Sequence, residues 1–164
     1  MEEQIMNMPA VALRGLTILP GMIAHFDISR ERSLRAVEEA MEQDQKIYLV
    51  TQRNVDSEDP TQEDLYQMGI VADIKQVVRL QNDVVRILVD GISRAALLGF
   101  TGNEKYLEAE ICYCDSNADS LPEDLREAML LGVREAFHRY AAVVGKISKE
   151  LIRQIDQYED LEKL

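Results

Sequence analysis

Two cysteines, two histidines and an acidic cluster are the residues of this chain whose chemistry could go beyond packing. Cys112-Tyr113-Cys114 puts two thiols on one face of a strand. Zinc wants four ligands, and His25 and His138 are isolated, so a metal site lacks half its donors. A disulfide is poor as well, because residues i and i+2 of an extended strand lie roughly 6.5 Å apart with near-parallel Cβ vectors. The pair reads as reduced thiols under a neighbouring element, in keeping with a reducing compartment. His25 with Asp27 could act as an acid-base pair only beside a nucleophile and an oxyanion site, and no motif supplies them, so they read as a half-exposed surface pair. His138 reads as a rim residue of a long helix. Asp56, Glu58, Asp59, Glu63 and Asp64 lack the D-x-[DN]-x-[DN]-G order of a calcium loop and read as a solvated loop. No G-x-x-x-x-G-K-[ST], G-x-S-x-G or H-E-x-x-H motif occurs. Catalytic, cofactor-binding and metal-binding residues are therefore all predicted to be none.

The candidate with most physical content is apolar. Leu16, Ile18, Leu19, Pro20 and Met22 crowd a turn where the chain should reverse at the surface. An exposed apolar patch with a pliable Met would suit weak binding of unfolded segments. The alternative is that the loop closes the open end of a sheet as core.

The elements that must position this turn are mostly strands. Gly69 to Leu80, a polar tip at Gln81-Asn82-Asp83 and Val84 to Asp90, ending at Gly91, read as a long β-hairpin whose β-branched arms form the scaffold. Pro9 to Leu13 reads as an opening strand with Pro9 at its start. Pro20-Gly21 forces a turn into Met22–Ile28, where Met22, Ala24, Phe26 and Ile28 share one face. Ser29 is the predicted cap of a helix to about Gln43 with a stripe of Leu34, Val37 and Met41. Lys46–Thr51 is a strand buried on both sides. Residues 53–60 form a loop, and Thr61 to Asp64 has capping-box spacing for a short helix to Gln67. Arg94–Phe100 and Tyr106–Cys114 are further strands, the last with Leu107, Ala109, Ile111 and Tyr113 inward. Asp115–Ser120 reads as a linker. After it, Leu125, Met129, Val133, Phe137, Tyr140 and Val144 track one face of a helix opened by Pro122 and closed by Gly145. Ser148 caps another helix, with Leu151, Ile155, Tyr158 and Leu161 aligned. That pattern reaches Leu164 with no terminating Gly or Pro, as a helical lobe cut short would.

A net charge of −12 argues against binding a phosphate backbone, which depends on Lys and Arg releasing counterions, so no nucleic-acid partner is expected through this chain. No window approaches the roughly 20 apolar residues of a membrane span, and Met1-Glu2-Glu3-Gln4 lacks the basic start of a signal peptide, so no membrane partner and a cytoplasmic location are expected. The organisation expected is α+β: an antiparallel β-rich lobe over 1–116 with one longer and one short helix, then the start of a helical lobe over 117–164.

The run from Asp59-Pro60-Thr61-Gln62-Glu63-Asp64-Leu65-Tyr66-Gln67-Met68-Gly69 through the hairpin to Val89-Asp90-Gly91-Ile92-Ser93-Arg94-Ala95 resembles the amino-terminal domain of the Lon family of ATP-dependent serine proteases. Leu13-Arg14 and Pro20-Gly21-Met22 are in step with that family's L-P-L-R-x-x-V-x-F-P-G-M segment, with Leu19 where Phe is frequent. Ser29-Arg30-Glu31-Arg32-Ser33 and Glu38-Glu39-Ala40-Met41 are similar to its G-R-E-x-S and E-E-A-M helix. The resemblance runs from about residue 8 to the end. It implies a PUA-like lobe that recognises unfolded or degron-bearing protein substrates and contributes to self-association in a full-length hexamer. It also implies a parent that degrades misfolded and short-lived regulatory proteins, with an AAA-plus ATPase using ATP and magnesium and a Ser-Lys dyad, all outside this chain. The chain itself is expected to be inactive and to carry no cofactor. A stand-alone Lon-like or cereblon-like binding module and a purely architectural hexamer-assembly domain are the alternatives.

Overall fold

Alternating side-chain direction along the strands builds the fold, because β1, β3, β4 and β5 each feed two separate apolar clusters, one on each face. The computed structural model describes residues 5–114, 121–159 and 161. The order is β1 (Ile5–Leu13), β2 (Ile23–Ile28), α1 (Glu31–Glu42), β3 (Lys46–Thr51), a 3₁₀ turn at Gln62–Asp64, β4 (Met68–Arg79), β5 (Val85–Phe100), β6 (Glu108–Tyr113), α2 (Glu123–Val144) and α3 (Lys149–Gln157). The chain falls into two compact units, Met1–Asp115 and Ser116–Leu164.

In the first unit the sheet runs β2-β5-β4-β3-β1-β6, and β5 also pairs with β6. That pairing closes β5, β4, β3, β1 and β6 into a barrel. Closure is possible because β5 is 16 residues long. Its first half, Val85 to Asp90, pairs with β2, and its second half, Ala95 to Phe100, pairs with β6. Every pairing is antiparallel except β1 with β3, where the chain crosses over through β2 and α1. Inside the barrel lie Met8, Ala10, Ala12, Tyr48, Val50, Val71, Ala95, Leu97, Ala109 and Ile111. The alternate residues Val11, Leu13, Ile47, Leu49, Ile70, Ala72, Ile87 and Val89 form a second core with Ala36, Val37 and Ala40 of α1.

Tyr48 organises the barrel interior. It is wholly buried, and its hydroxyl donates to the Ala95 carbonyl at 3.0 Å. Burial pushes the phenol pKa up, with the charge of Cys114 adding to it, so the hydroxyl remains a donor at any physiological pH. Small neighbours make room for the ring. At Gly69 a Cβ would stand 2.4 Å from Tyr48 Cζ and 2.7 Å from the Leu49 carbonyl oxygen.

The α+β reading and the hairpin hold: Asn82 and Asp83 take left-handed φ of 59° and 57° at the tip, as their tolerance for that region allows. Several local expectations are corrected. Gly91 does not end the second arm, since β5 runs through it to Phe100. Pro9 lies inside β1, at the point where pairing passes from β6 to β3, so its missing N–H breaks no regular ladder. Arg30, not Ser29, stands at the N-cap of α1. The buried face of α1 is Ser33, Ala36, Val37 and Ala40, while Met41 is exposed; small side chains let the helix sit close to the sheet. The helix expected to reach Gln67 is only the 3₁₀ turn, with the Asp64 carboxylate accepting from the Thr61 N–H and hydroxyl at 2.9 and 3.0 Å.

In the second unit, Gly145 closes α2 in a left-handed conformation and the Ser148 hydroxyl accepts from the Leu151 N–H at 3.1 Å, as expected. The apolar face of α2 is corrected. Leu125, Met129, Val133, Tyr140 and Val144 are exposed, and Leu130 and Ala141 are buried with Phe137 half-buried. Likewise Ile152 and Ile155, rather than Leu151 and Tyr158, are the half-buried residues of α3. α2 carries apolar residues all round, so periodicity alone could not choose the packed side. The expected linker at Asp115–Ser120, the lobe boundary at 116/117 and the run-out at Leu164 lie outside the described residues.

Candidate functional site

Backbone chemistry fixes the apolar turn in place. Leu19-Pro20-Gly21-Met22 is a β-turn closed by Met22 N–H to the Leu19 carbonyl at 3.1 Å, with proline second and Gly21 third at φ 74°, the pattern of a type II turn. Gly21 N–H donates to the Gly91 carbonyl at 2.7 Å, and Gly91 N–H donates to the Met22 carbonyl at 3.0 Å. A Cβ at Gly91 would lie 2.4 Å from the Leu19 carbonyl oxygen, so only glycine admits this approach of turn to strand. At the other end of the loop, the Thr51 hydroxyl donates to the Leu16 carbonyl at 2.8 Å and stands 3.1 Å from the Thr17 hydroxyl.

This anchoring divides the five predicted site residues between the two alternatives. Ile18 is 5% exposed and belongs to the core shared with α1, and Leu16 packs half-buried against that core. Leu19 is 52% exposed, Met22 is 38% exposed, and Pro20 is exposed too. The loop is thus core on one side and apolar surface on the other.

Ile18, Leu19 and Pro20 form one wall of a groove of about 490 Å³ whose other walls include Leu49, Tyr66 and Met68. Tyr66 and Met68 are about half exposed. They reach the groove because an antiparallel bridge from Gln52 to Leu65 brings the segment after the 3₁₀ turn alongside the end of β3. Arg53 sits at the rim: its Nε donates to the Leu65 carbonyl at 2.8 Å and its guanidinium lies 5.2 Å from the Tyr66 ring centroid, a cation–π distance. Tyr66, Met68 and Arg53 were not singled out from the sequence. An aromatic and a methionine following closely on Leu65 were the available signal, but only the non-local bridge gives it meaning.

The polar candidates have structural partners. Both oxygens of Asp27 accept from Arg86, at 2.7 and 2.8 Å, across the β2–β5 ladder. This hydrogen bond lowers the Asp27 pKa, partly offset by burial and helped by the Arg86 charge. The sign follows: the pair's contribution is present above the ordinary value of 3.8 and is lost as pH falls through the lower folded value. Carboxyl NMR is expected to show Asp27 titrating below 3.8, and Arg86→Gln to return it towards that value; unchanged titration in the variant would refute the assignment. His138 Nε2 lies 2.8 Å from Asp156, which ties α2 to α3. Cys112 and Cys114 are not joined by a disulfide. Among the described residues no group of three or more His, Cys, Asp or Glu could hold a metal, and no helix is long and apolar enough to cross a membrane.

Residues 7–164 match the family model described as the ATP-dependent protease La (LON) substrate-binding domain. The Lon protease of Lachnoclostridium phytofermentans is 37% identical over 164 residues, covering all of this chain and 20% of that protein. The Lon protease of Clostridioides difficile is 35% identical over 160 residues, covering 96% of this chain and 20% of that protein. Among solved structures, the N-terminal domain of Mycobacterium avium complex Lon protease superposes with a TM-score of 0.72 at 17% identity, over 97% of this chain and 79% of that one. The Lon N-terminal domain protein from Xanthomonas campestris gives 0.56 at 17% identity, over 94% and 92%. The chain spans about a fifth of the length of the curated relatives it matches.

Proposed function

We infer that this chain, which belongs to the family of ATP-dependent protease La (LON) substrate-binding domains, captures exposed apolar segments of unfolded or degron-bearing proteins in the groove beside the Leu19–Met22 turn. The observation that carries this reading is the half-exposed apolar set Leu19, Tyr66 and Met68, the first held by backbone bonds from its turn to Gly91 and the other two brought alongside by the Gln52–Leu65 bridge. Leu16 and Ile18 act from beneath, as the core side of the same loop.

Capture of this kind is weak by construction of the site. Burying one apolar side chain of about 100 Å² is worth roughly 2.5 kcal/mol, which alone corresponds to a Kd weaker than about 1 mM. Useful retention then requires several copies near one another, and self-association in a hexameric parent would supply them through effective concentration. In the same reading the parent is a cytoplasmic ATP-dependent serine protease, with ATP and magnesium bound in domains outside this chain. The parts 1–116 and 117–164 are the capture lobe and the start of a helical lobe. The chain alone hydrolyses neither peptide nor ATP, and it binds no nucleic acid or membrane.

Titrating the labelled chain with a destabilised, unfolded protein is expected to shift the amides of Leu19, Met22, Tyr66 and Met68. Leu19→Asp should weaken binding about tenfold, since a carboxylate would be desolvated in the groove. Shifts confined to other surfaces would sink the assignment, and casein or ATP hydrolysis by the purified chain would replace it with an enzyme.

A further inference from the structure

Residues of β1, β2 and the start of α1 enclose a second cavity, of about 200 Å³, whose polar wall is Arg14, Asp27, Ser29, Arg30 and Ser33, the Asp27 carboxylate being paired with Arg86. Ser33 is 4% exposed and lines this cavity, and its hydroxyl has no hydrogen-bond partner among the described residues. No side chain caps α1, a helix of 12 residues. Its first-turn N–H groups, which have no acceptor within the helix and form its positive end, are therefore not met by a capping side chain.

The two arginines complete the pattern. Arg14 donates to the Ser57 carbonyl at 3.1 Å and Arg30 to Gln52 Oε1 at 2.6 Å, both neutral acceptors. Three nearby carboxylates are committed elsewhere, Glu31 to Arg35 at 2.5 Å, Asp59 to Arg32 at 3.1 Å and Asp27 to Arg86 at 2.7 Å, while Glu58 is close enough for its charge to act on Arg30 without pairing with it. A chain with 30 acidic against 18 basic residues thus leaves two guanidiniums at one cavity without a carboxylate partner among the described residues. Burial lowers the Arg30 pKa and the charge of Arg14 lowers it further, while Glu58 and Asp59 oppose them. An anion between the two guanidiniums would relieve that repulsion.

We propose that this cavity binds the C-terminal residue of a polypeptide, with its α-carboxylate held by Arg14, Arg30 and the N-terminus of α1 and its apolar side chain against Leu16 and Phe26. Leu16 and Phe26 line the cavity and are both half-buried, which gives it an apolar wall that a bare inorganic anion would not use. The space equals roughly six or seven waters' share of liquid, enough for one residue's end and too little for a chain passing through. A monoanion also suits the site better than a phosphate dianion, because Asp27, Glu58 and Asp59 hold down the local positive potential. Guanidinium forks and helix N-termini are matched in geometry to a planar carboxylate, and capture of chain ends by such donors is a recurring mode of peptide recognition.

The inference rests on the capture reading only in taking polypeptide as the ligand; the site is separate from the Leu19 groove. Two short labelled peptides ending in Phe, one a free acid and one the amide, would be titrated into the chain by fluorescence anisotropy. The acid is expected to bind at least about tenfold more tightly, the scale of charge-assisted hydrogen bonds, and to shift the Ser33 and Arg30 amides. Arg14→Gln and Arg30→Gln should each erase most of the acid-over-amide preference, and Arg14→Lys should retain part of it. Leu19→Asp, which tests the groove, should leave the preference unchanged. Equal affinity for acid and amide, absence of binding by either, or displacement by inorganic phosphate or an O-phosphoserine peptide in place of the acid would each overturn the proposal. Because the wild-type chain alone answers the acid-versus-amide question, a variant that misfolds does not decide the outcome.

Discussion

Gly69→Ala is expected to destabilise the first unit by about 3 kcal/mol or more, although Gly→Ala in a strand that tolerates it stabilises by roughly 0.4–1 kcal/mol. The sign reverses because the added methyl has nowhere to go. It would stand 2.4 Å from Tyr48 Cζ and Oη and 2.7 Å from the Leu49 carbonyl oxygen, the first a ring locked in the barrel and the second backbone. Moving the ring would also pull its hydroxyl from the Ala95 carbonyl and lose that buried hydrogen bond. Urea unfolding of Gly69→Ala, Tyr48→Leu and the double variant separates these effects. Tyr48→Leu opens a cavity and removes the hydrogen bond to the Ala95 carbonyl, at about 2–4 kcal/mol. In the double variant the smaller side chain admits the methyl, so the loss should fall short of the sum by at least about 1 kcal/mol. Additive losses would mean that the ring is not what Gly69 accommodates.

The contrast between Gly69 and Gly91 also marks what could be read from the sequence. The hairpin was legible because β-branched residues alternate with charges over both arms and because Asn82-Asp83 suits a left-handed tip. Gly69 was read as a punctuation mark before the hairpin and Gly91 as one after it, since glycine in a pattern usually signals a break. In the fold both are interior strand positions, paired to Ala95 and Ala72, and each is small because something passes close by. Nothing local announces that, as the passing groups are Tyr48 and Leu19, some twenty and seventy residues away in sequence. Barrel closure was hidden for the same reason: it depends on β5 pairing with β2 over one half and β6 over the other.

Helix faces show the same limit. The buried face of α1 is rich in alanine, and a search for large apolar residues picks Met41 instead. In α2 apolar residues lie all round the helix, so the repeat alone does not distinguish buried Leu130 from exposed Met129. The site was half legible. A proline-glycine turn crowded with apolar residues is visible in sequence, whereas Tyr66, Met68 and Arg53 join it only through the Gln52–Leu65 bridge. The polar cavity at α1 went unread because it needs Arg14 and Ser33, one from a strand end and one from a helix, to meet.

Gly91→Ala should then separate loop position from loop composition. Its methyl would meet the Leu19 carbonyl oxygen at 2.4 Å, and the turn can escape only by lifting away and giving up both bonds between Gly91 and the Gly21–Met22 backbone. Leu19, Pro20 and Met22 keep their chemistry in this variant, but the wall they give the groove moves off Tyr66 and Met68. If capture needs the groove, affinity for unfolded protein is expected to fall about tenfold, as in Leu19→Asp, equivalent to about 1.4 kcal/mol. The barrel should survive with a loss of about 1–3 kcal/mol, since the two bonds and the overlap lie at the surface end of the turn. If capture needs only an exposed apolar turn, Gly91→Ala should bind as well as the parent chain or better, because lifting the loop exposes more of Ile18 and Leu16. Measuring affinity and unfolding free energy on the same preparations distinguishes the two: loss of binding with the fold retained supports a built groove, and retained binding would reduce the site to a sticky loop.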